Sequence, residues 1–145
     1  MKSMKKVVGL LAIVAVALIA MTSFSSSKVG KGIEFTDMSL KKAKVKADKA
    51  EKYIFIDAYT DWCRPCKKMA ATTFKDAEVA EFFNSEFINL KVEMEKNPDG
   101  VDIARKYGVN AYPTLLIIDS DGNLIKKTIG FKSKAALMAF AGSVL

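Results

Sequence analysis

The only two cysteines of the chain, Cys63 and Cys66, are separated by two residues and follow an apolar run, Tyr53-Ile54-Phe55-Ile56-Asp57-Ala58-Tyr59. Pro65 lies between them, and a helix tolerates proline in its first turn, where the missing N–H has no intrahelical partner. The block Asp61-Trp62-Cys63-Arg64-Pro65-Cys66-Lys67 therefore predicts a buried strand that gives way abruptly to a helix starting at Cys63. A cysteine at a helix N-terminus faces unpaired N–H groups and the positive end of the helix dipole. Both lower the thiol pKa below its free value of about 8.5. Arg64 adds positive charge in the same direction. The pattern is that of a dithiol redox centre.

Two other uses of the pair compete with this one. A structural bridge at this spacing closes too small a loop to restrain much of the unfolded chain. Half of the residues are apolar, so the core does not need such a staple. Zinc takes four ligands, usually Cys and His, and the chain has no His and no further Cys. A closed soft site within one chain is excluded, which leaves a two-coordinate Cu(I) site on the two thiolates as the metal alternative.

The 145 residues suffice for one domain and a short leader. Residues 1–27 read as an export signal: a basic start, the apolar run Val7 to Met21, then the small, polar stretch Thr22 to Ser27. The run falls short of the ~20 residues that span a bilayer as a helix; an uncleaved anchor is the alternative. No cysteine near its end permits a lipoprotein anchor. The expected location is outside the cytoplasm, in the periplasm or secreted, where a disulfide persists. Lys2, Lys5 and Lys6 supply three of the net +7 charges, leaving +4 on the rest. Much of that is the run Lys41 to Lys46, which reads as a solvated helix face and not a nucleic-acid surface, because no Arg and aromatic residues interleave there.

Residues 28–32 form a linker and residues 33–145 the domain. Ile33 to Phe35 predicts a short edge strand. Leu40, Ala43, Ala47 and Ala50 recur at helical spacing. Tyr53 to Tyr59 reads as a strand buried on both faces, in which Asp57 is the one acidic side chain interrupting the apolar core. The helix from Cys63 is expected to run towards Thr73, and Asp76 to cap a further helix carrying Val79, Phe82 and Phe83. Phe87 to Glu93 predicts a strand, Asn97-Pro98-Asp99 a helix start, and Gly108 its stop. Thr114 to Ile118 and Leu124 to Ile129 predict an antiparallel pair around the turn Ser120 to Asn123. A last helix follows Ser133. The fold class is α/β: a mixed sheet with helices on both faces.

The block Phe55 to Lys67 and the step Tyr112-Pro113-Thr114 together resemble the two signatures of the thioredoxin superfamily. The Thr73-Phe74-x-Asp76-x-x-Val79 stretch is similar to exported members and to the C-terminal domain of the transmembrane thiol:disulfide interchange protein. The resemblance covers Tyr53 to Leu145 and extends more loosely back to Ile33. It implies the thioredoxin fold and no cofactor beyond a redox-active Cys63–Cys66 disulfide. In the implied reaction the Cys63 thiolate attacks a substrate disulfide and Cys66 resolves the mixed disulfide. By strand alternation and by resemblance, Asp57 lies behind Cys66 and takes its proton; Lys91 matches the lysine that partners this Asp. Pro113 resembles the family's cis-proline facing the dithiol. Trp62, Arg64, Pro65 and Tyr112 fall where partners touch.

Three departures bear on that reading. Arg64 replaces the glycine common in cytosolic thioredoxins, Tyr112 is bulkier than usual, and Ala70 stands where the interchange protein has an acid. No His lies between the cysteines, as strong oxidants and isomerases commonly have. The expected function is therefore a thiol:disulfide oxidoreductase reducing exported proteins that carry disulfides, recharged by a membrane-embedded electron donor. Nothing resembles a separate dimerisation domain, so a monomer is expected. The alternatives are an oxidant or isomerase using the same pair, and a binding protein without turnover, such as a copper carrier or chaperone.

Overall fold

A computed structural model describes residues 32–145 of the chain. The leader, residues 1–27, and nearly all of the linker lie outside these described residues. Five helices and four strands follow in order: α1 (Leu40–Ala50), β1 (Tyr53–Tyr59), α2 (Arg64–Ala71), α3 (Ala77–Glu86), β2 (Phe87–Glu93), α4 (Gly100–Tyr107), β3 (Thr114–Ile118), β4 (Leu124–Ile129) and α5 (Lys134–Gly142). The sheet order is β2-β1-β3-β4. β1 pairs parallel with β2 and antiparallel with β3, and β3 pairs antiparallel with β4. This is the mixed α/β architecture expected.

Side-chain alternation along β1 feeds two cores. Ile54, Ile56 and Ala58 pack with Leu90 of β2, Leu116 of β3, and the faces of α1 and α4 that carry Ala43, Ala47 and Ile103. Phe55 points the other way. It packs with Leu115 and Ile117 of β3, Met69 of α2, Phe83 of α3 and Leu137 of α5. Its ring meets Phe83 edge-on at 4.7 Å between centroids, a preferred aromatic geometry.

Local chemistry sets most element ends. Ser39 accepts the Lys42 N–H and starts α1. Asp76 accepts from the N–H groups of Glu78 and Val79 at 3.0 and 3.2 Å. Gly108 closes α4 at φ +61°, a left-handed conformation in which a side chain would be strained. Gly122 at φ +83° turns β3 into β4, and the Asp119 carboxylate holds that turn through the Asn123 N–H at 2.8 Å.

Three boundaries differ from the sequence-based expectations. The edge strand at Ile33 to Phe35 does not form; only a single bridge, Thr36 to Leu90, joins this segment to β2. Its donors are committed elsewhere: the Ile33 N–H bonds Phe74 O at 2.8 Å, and the Glu34 N–H bonds the Asn84 side chain at 2.8 Å. α2 stops at Ala71 rather than Thr73, because Thr72 leaves helical geometry (φ −123°, ψ −80°) and a 3₁₀ turn, Thr73–Lys75, follows. α4 starts at Gly100, after an Asx turn in which the Asn97 side chain accepts the Asp99 N–H at 2.9 Å. The Asp99 carboxylate does not cap α4. It accepts the Leu40 N–H at 2.6 Å and ties the starts of α1 and α4 together.

Candidate active site

Three chain segments meet at one edge of the sheet, and the register explains why. Ala58, near the end of β1, stands opposite Val92 near the end of parallel β2 and Thr114 at the start of antiparallel β3. The loop after β1, the loop after β2 and the loop before β3 therefore emerge together. They bring Cys63 and Cys66, Glu93 to Lys96, and Tyr112-Pro113 to one place.

The Cys63 N–H bonds Thr60 O at 3.2 Å and tightens the turn out of β1. Cys63 is the N-cap of α2, and its Sγ accepts the Cys66 N–H at 3.2 Å. A sulfur in that position takes up a donor that an oxygen cap would otherwise satisfy. The two cysteines form a disulfide with Cα atoms 5.3 Å apart and are 3% and 2% exposed, respectively. Arg64 and Pro65 beside them are exposed, and Pro65 sits in the first turn of α2.

Trp62 is 63% exposed, so it is a surface residue and not a core one. Its ring meets the half-buried Tyr112 edge-on at 5.8 Å, and its Nε1–H donates to the Glu95 carboxylate at 3.1 Å. The Tyr112–Pro113 peptide is cis, and Pro113 O accepts the Gly130 N–H at 2.8 Å.

Asp57 is wholly buried on the Phe55 face of β1, the face that α2 covers. Lys91 is its register partner on β2 and donates to Oδ2; Oδ1 has no partner among the described residues. Burial pushes the Asp57 pKa up, and the adjacent ammonium of Lys91 offsets this only in part. Lys91 is not sealed in: its side chain is 26% exposed. Its Nζ lies 4.1 Å from the Tyr59 ring centroid, beside an open cleft whose walls include Phe35, Thr36, Glu93 and Lys96.

All nine sequence-predicted site residues thus fall in two adjoining groups: the buried Cys63, Cys66 and Pro113 with the exposed Trp62, Arg64 and Pro65 and the half-buried Tyr112, and Asp57 with Lys91 on β1 and β2. Sequence reasoning missed the loop that braces them. The nearly buried Glu93 carboxylate accepts three backbone N–H groups: Asp61 at 3.1 Å, Glu95 at 2.9 Å and Lys96 at 2.6 Å. Lys96 pairs in turn with the Asp61 carboxylate. An acid ending a strand is ordinary in sequence, and no spacing rule connects Glu93 with Asp61.

Comparison with known proteins agrees with this geometry. The model of the thioredoxin-like domain family matches residues 40–144. A solution structure from Bacteroides thetaiotaomicron, provisionally described as a disulphide-isomerase, is 40% identical with a TM-score of 0.70, covering 79% of this chain and 95% of that one. The thioredoxin of Pseudomonas aeruginosa is 32% identical over 108 residues, which is 74% of this chain and 91% of that protein. The thiol:disulfide interchange protein DsbD of Colwellia psychrerythraea is 30% identical over 102 residues, but the matched region spans only 17% of its length. With its Cys63–Cys66 disulfide, the chain belongs to the thioredoxin-like family of disulfide oxidoreductases.

Proposed function

We propose that the protein reduces disulfides in exported proteins outside the cytoplasm and is recharged by a membrane-embedded dithiol donor. The observation that carries this reading is Cys63 acting as the N-cap of α2 with its sulfur on the Cys66 N–H, beside the exposed Trp62 and the Tyr112–Pro113 step. That N–H, the start of α2 and the Arg64 charge all favour a Cys63 thiolate when the pair is reduced.

The thiolate attacks one sulfur of the partner disulfide, forming a mixed disulfide and releasing the other sulfur as a thiolate that takes a proton from water. Cys66 then gives its proton to the buried Asp57 carboxylate and attacks Cys63 Sγ. The second partner sulfur departs as a thiolate that takes a proton from water, and Asp57 returns its proton to solvent. The partner is left as a dithiol and the protein as a disulfide, two electrons having moved. Burial raises the pKa of Asp57 and makes it a better proton acceptor than an ordinary carboxylate, and Lys91 beside the open cleft links it to solvent. Pro113 and Tyr112 offer backbone against which an extended partner can lie. The export-type leader supports the location.

A second reading, isomerase or oxidant, is favoured by the description of the Bacteroides thetaiotaomicron relative; it runs the same steps in another order. Titration of the Cys63–Cys66 pair against glutathione separates the two. A potential near about −270 mV supports the reductant, and one near about −120 mV makes the protein an oxidant. Insulin reduction should vanish in Cys63→Ser, whereas Cys66→Ser should accumulate mixed disulfides. A protein that forms no disulfide across the titration is not an oxidoreductase, and copper binding becomes the next measurement.

A further inference from the structure

The solvent face of α2 is basic in a way that helix chemistry does not favour. Arg64, Lys67 and Lys68 stand at i, i+3 and i+4, which places them on one side of the helix, and all three are exposed. The other side, with Cys66 and Met69, is buried. Like charges at this spacing repel one another, and cations at the start of a helix oppose its dipole. Arg64 is the first helical residue, and no acid lies in the first turn to offset it. Among the described residues no carboxylate pairs with any of the three; the ion pairs present lie elsewhere.

The acids of the adjoining loops form no ion pair with these cations. Asp61 holds Lys96, Glu95 holds the Trp62 indole N–H, and Glu93 holds three backbone N–H groups. Lys68 extends the basic face outward: its Nζ stands 4.8 Å above the Phe131 ring, itself 37% exposed. The start of α3 follows the ordinary rule, with an acidic N-cap at Asp76 and Glu78 in the first turn. α1 and α5 also have lysine and no acid in the first turn, so what sets the cations of α2 apart is that they stand on the helix that carries the dithiol.

We propose that this face of α2 selects partner polypeptides whose reactive disulfide is flanked by acidic residues, drawing them onto Cys63 by charge. The inference rests on the reading of Cys63–Cys66 as an exchanging pair and names the class of partner that pair takes. The competing account gives the cations a single task, stabilising the Cys63 thiolate. That task speeds attack on every disulfide alike, so a ratio of rates between two substrates cancels it and leaves only recognition.

The test uses two disulfide-bonded peptides of equal length, identical except that Asp or Lys flanks the cystine. Second-order rate constants for their reduction by the reduced protein are measured at low and high salt. At low salt the acidic peptide should react faster by roughly tenfold or more, within the range of electrostatic steering. The ratio should approach one near 1 M salt, where screening acts within about 3 Å. Lys67→Glu combined with Lys68→Glu should bring the low-salt ratio below one. A ratio of one at low salt in the unaltered protein overturns the proposal, as does a ratio that charge reversal leaves in place. If neither peptide is reduced, the exchange reading itself fails and takes this inference with it.

Discussion

At the scale of the residue, Asp57 is where folding and the proposed chemistry conflict. A wholly buried carboxylate with one unpartnered oxygen is a poor choice for stability. Burial raises its pKa in the folded protein, so the native state holds this proton more tightly than the unfolded chain does. Stability is therefore unaffected by Asp57 at pH values below its unfolded pKa. It falls as the pH rises through the raised native value, and the full loss is present above that value. Asp57→Asn keeps the shape and removes the charge, while Lys91, with part of its side chain in solvent, can hydrate its ammonium. The substitution should raise the melting temperature at pH 7 by several degrees and change it little near pH 4. The same substitution should slow turnover by roughly 10- to 100-fold, at the low end of what positioned acid–base groups contribute. Rapid acid quenching should then show mixed disulfide accumulating, because attack by Cys63 precedes the step that uses Asp57. A variant that is more stable at pH 7 yet turns over normally would leave Asp57 without a role in resolution.

At the scale of the element, the loop after β2 does work that no helix or strand assignment reveals. The Glu93 carboxylate gathers the N–H groups of Asp61, Glu95 and Lys96, and so fixes the base of Trp62 against the end of β2. Glu93→Ala strands those donors and should cost about 2 kcal/mol in a urea titration, the scale of a hydrogen-bonded charged group. Trp62 fluorescence should shift toward that of a freer indole; an unchanged spectrum and midpoint would mean the loop holds without Glu93. This loop also marks the limit of what the chain discloses. The helices were legible because caps are local: Asp76, Ser133 and Gly108 each act within a few residues of where they stand. β1 was legible because a continuous apolar run permits little else, and Asp57 because it interrupts that run. Lys91 was reached only through family resemblance, since its meaning lies in a register across two strands. Glu93 has neither kind of signal, for its partner Asp61 lies 32 residues back along the chain. Ile33 to Phe35 misled for the same reason: the competing acceptors, Phe74 O and the Asn84 side chain, lie far along the sequence.

At the scale of the whole molecule, the redox reaction and the folding equilibrium share one thermodynamic cycle. Folding changes the potential of the Cys63–Cys66 pair by as much as the disulfide changes the stability of the fold. Two influences compete at this pair. The start of α2, the Cys66 N–H and the cations of α2 favour the reduced form by stabilising a thiolate. The near-complete burial of both sulfurs disfavours a charge there and so favours the disulfide. In a strong oxidant the first influence dominates and the reduced form is the more stable one. The reductant reading requires the reverse, with the oxidised protein unfolding at higher urea than the protein held in excess reductant. Each 30 mV by which folding lowers the potential should add about 1.4 kcal/mol to that difference. Paired urea titrations read it without any partner or substrate. A reduced form more stable than the oxidised one would assign the protein to oxidation, whatever its rate with insulin. Equal midpoints would mean that the fold leaves the pair as the unfolded chain has it, and direction would then rest with the partner that recharges it.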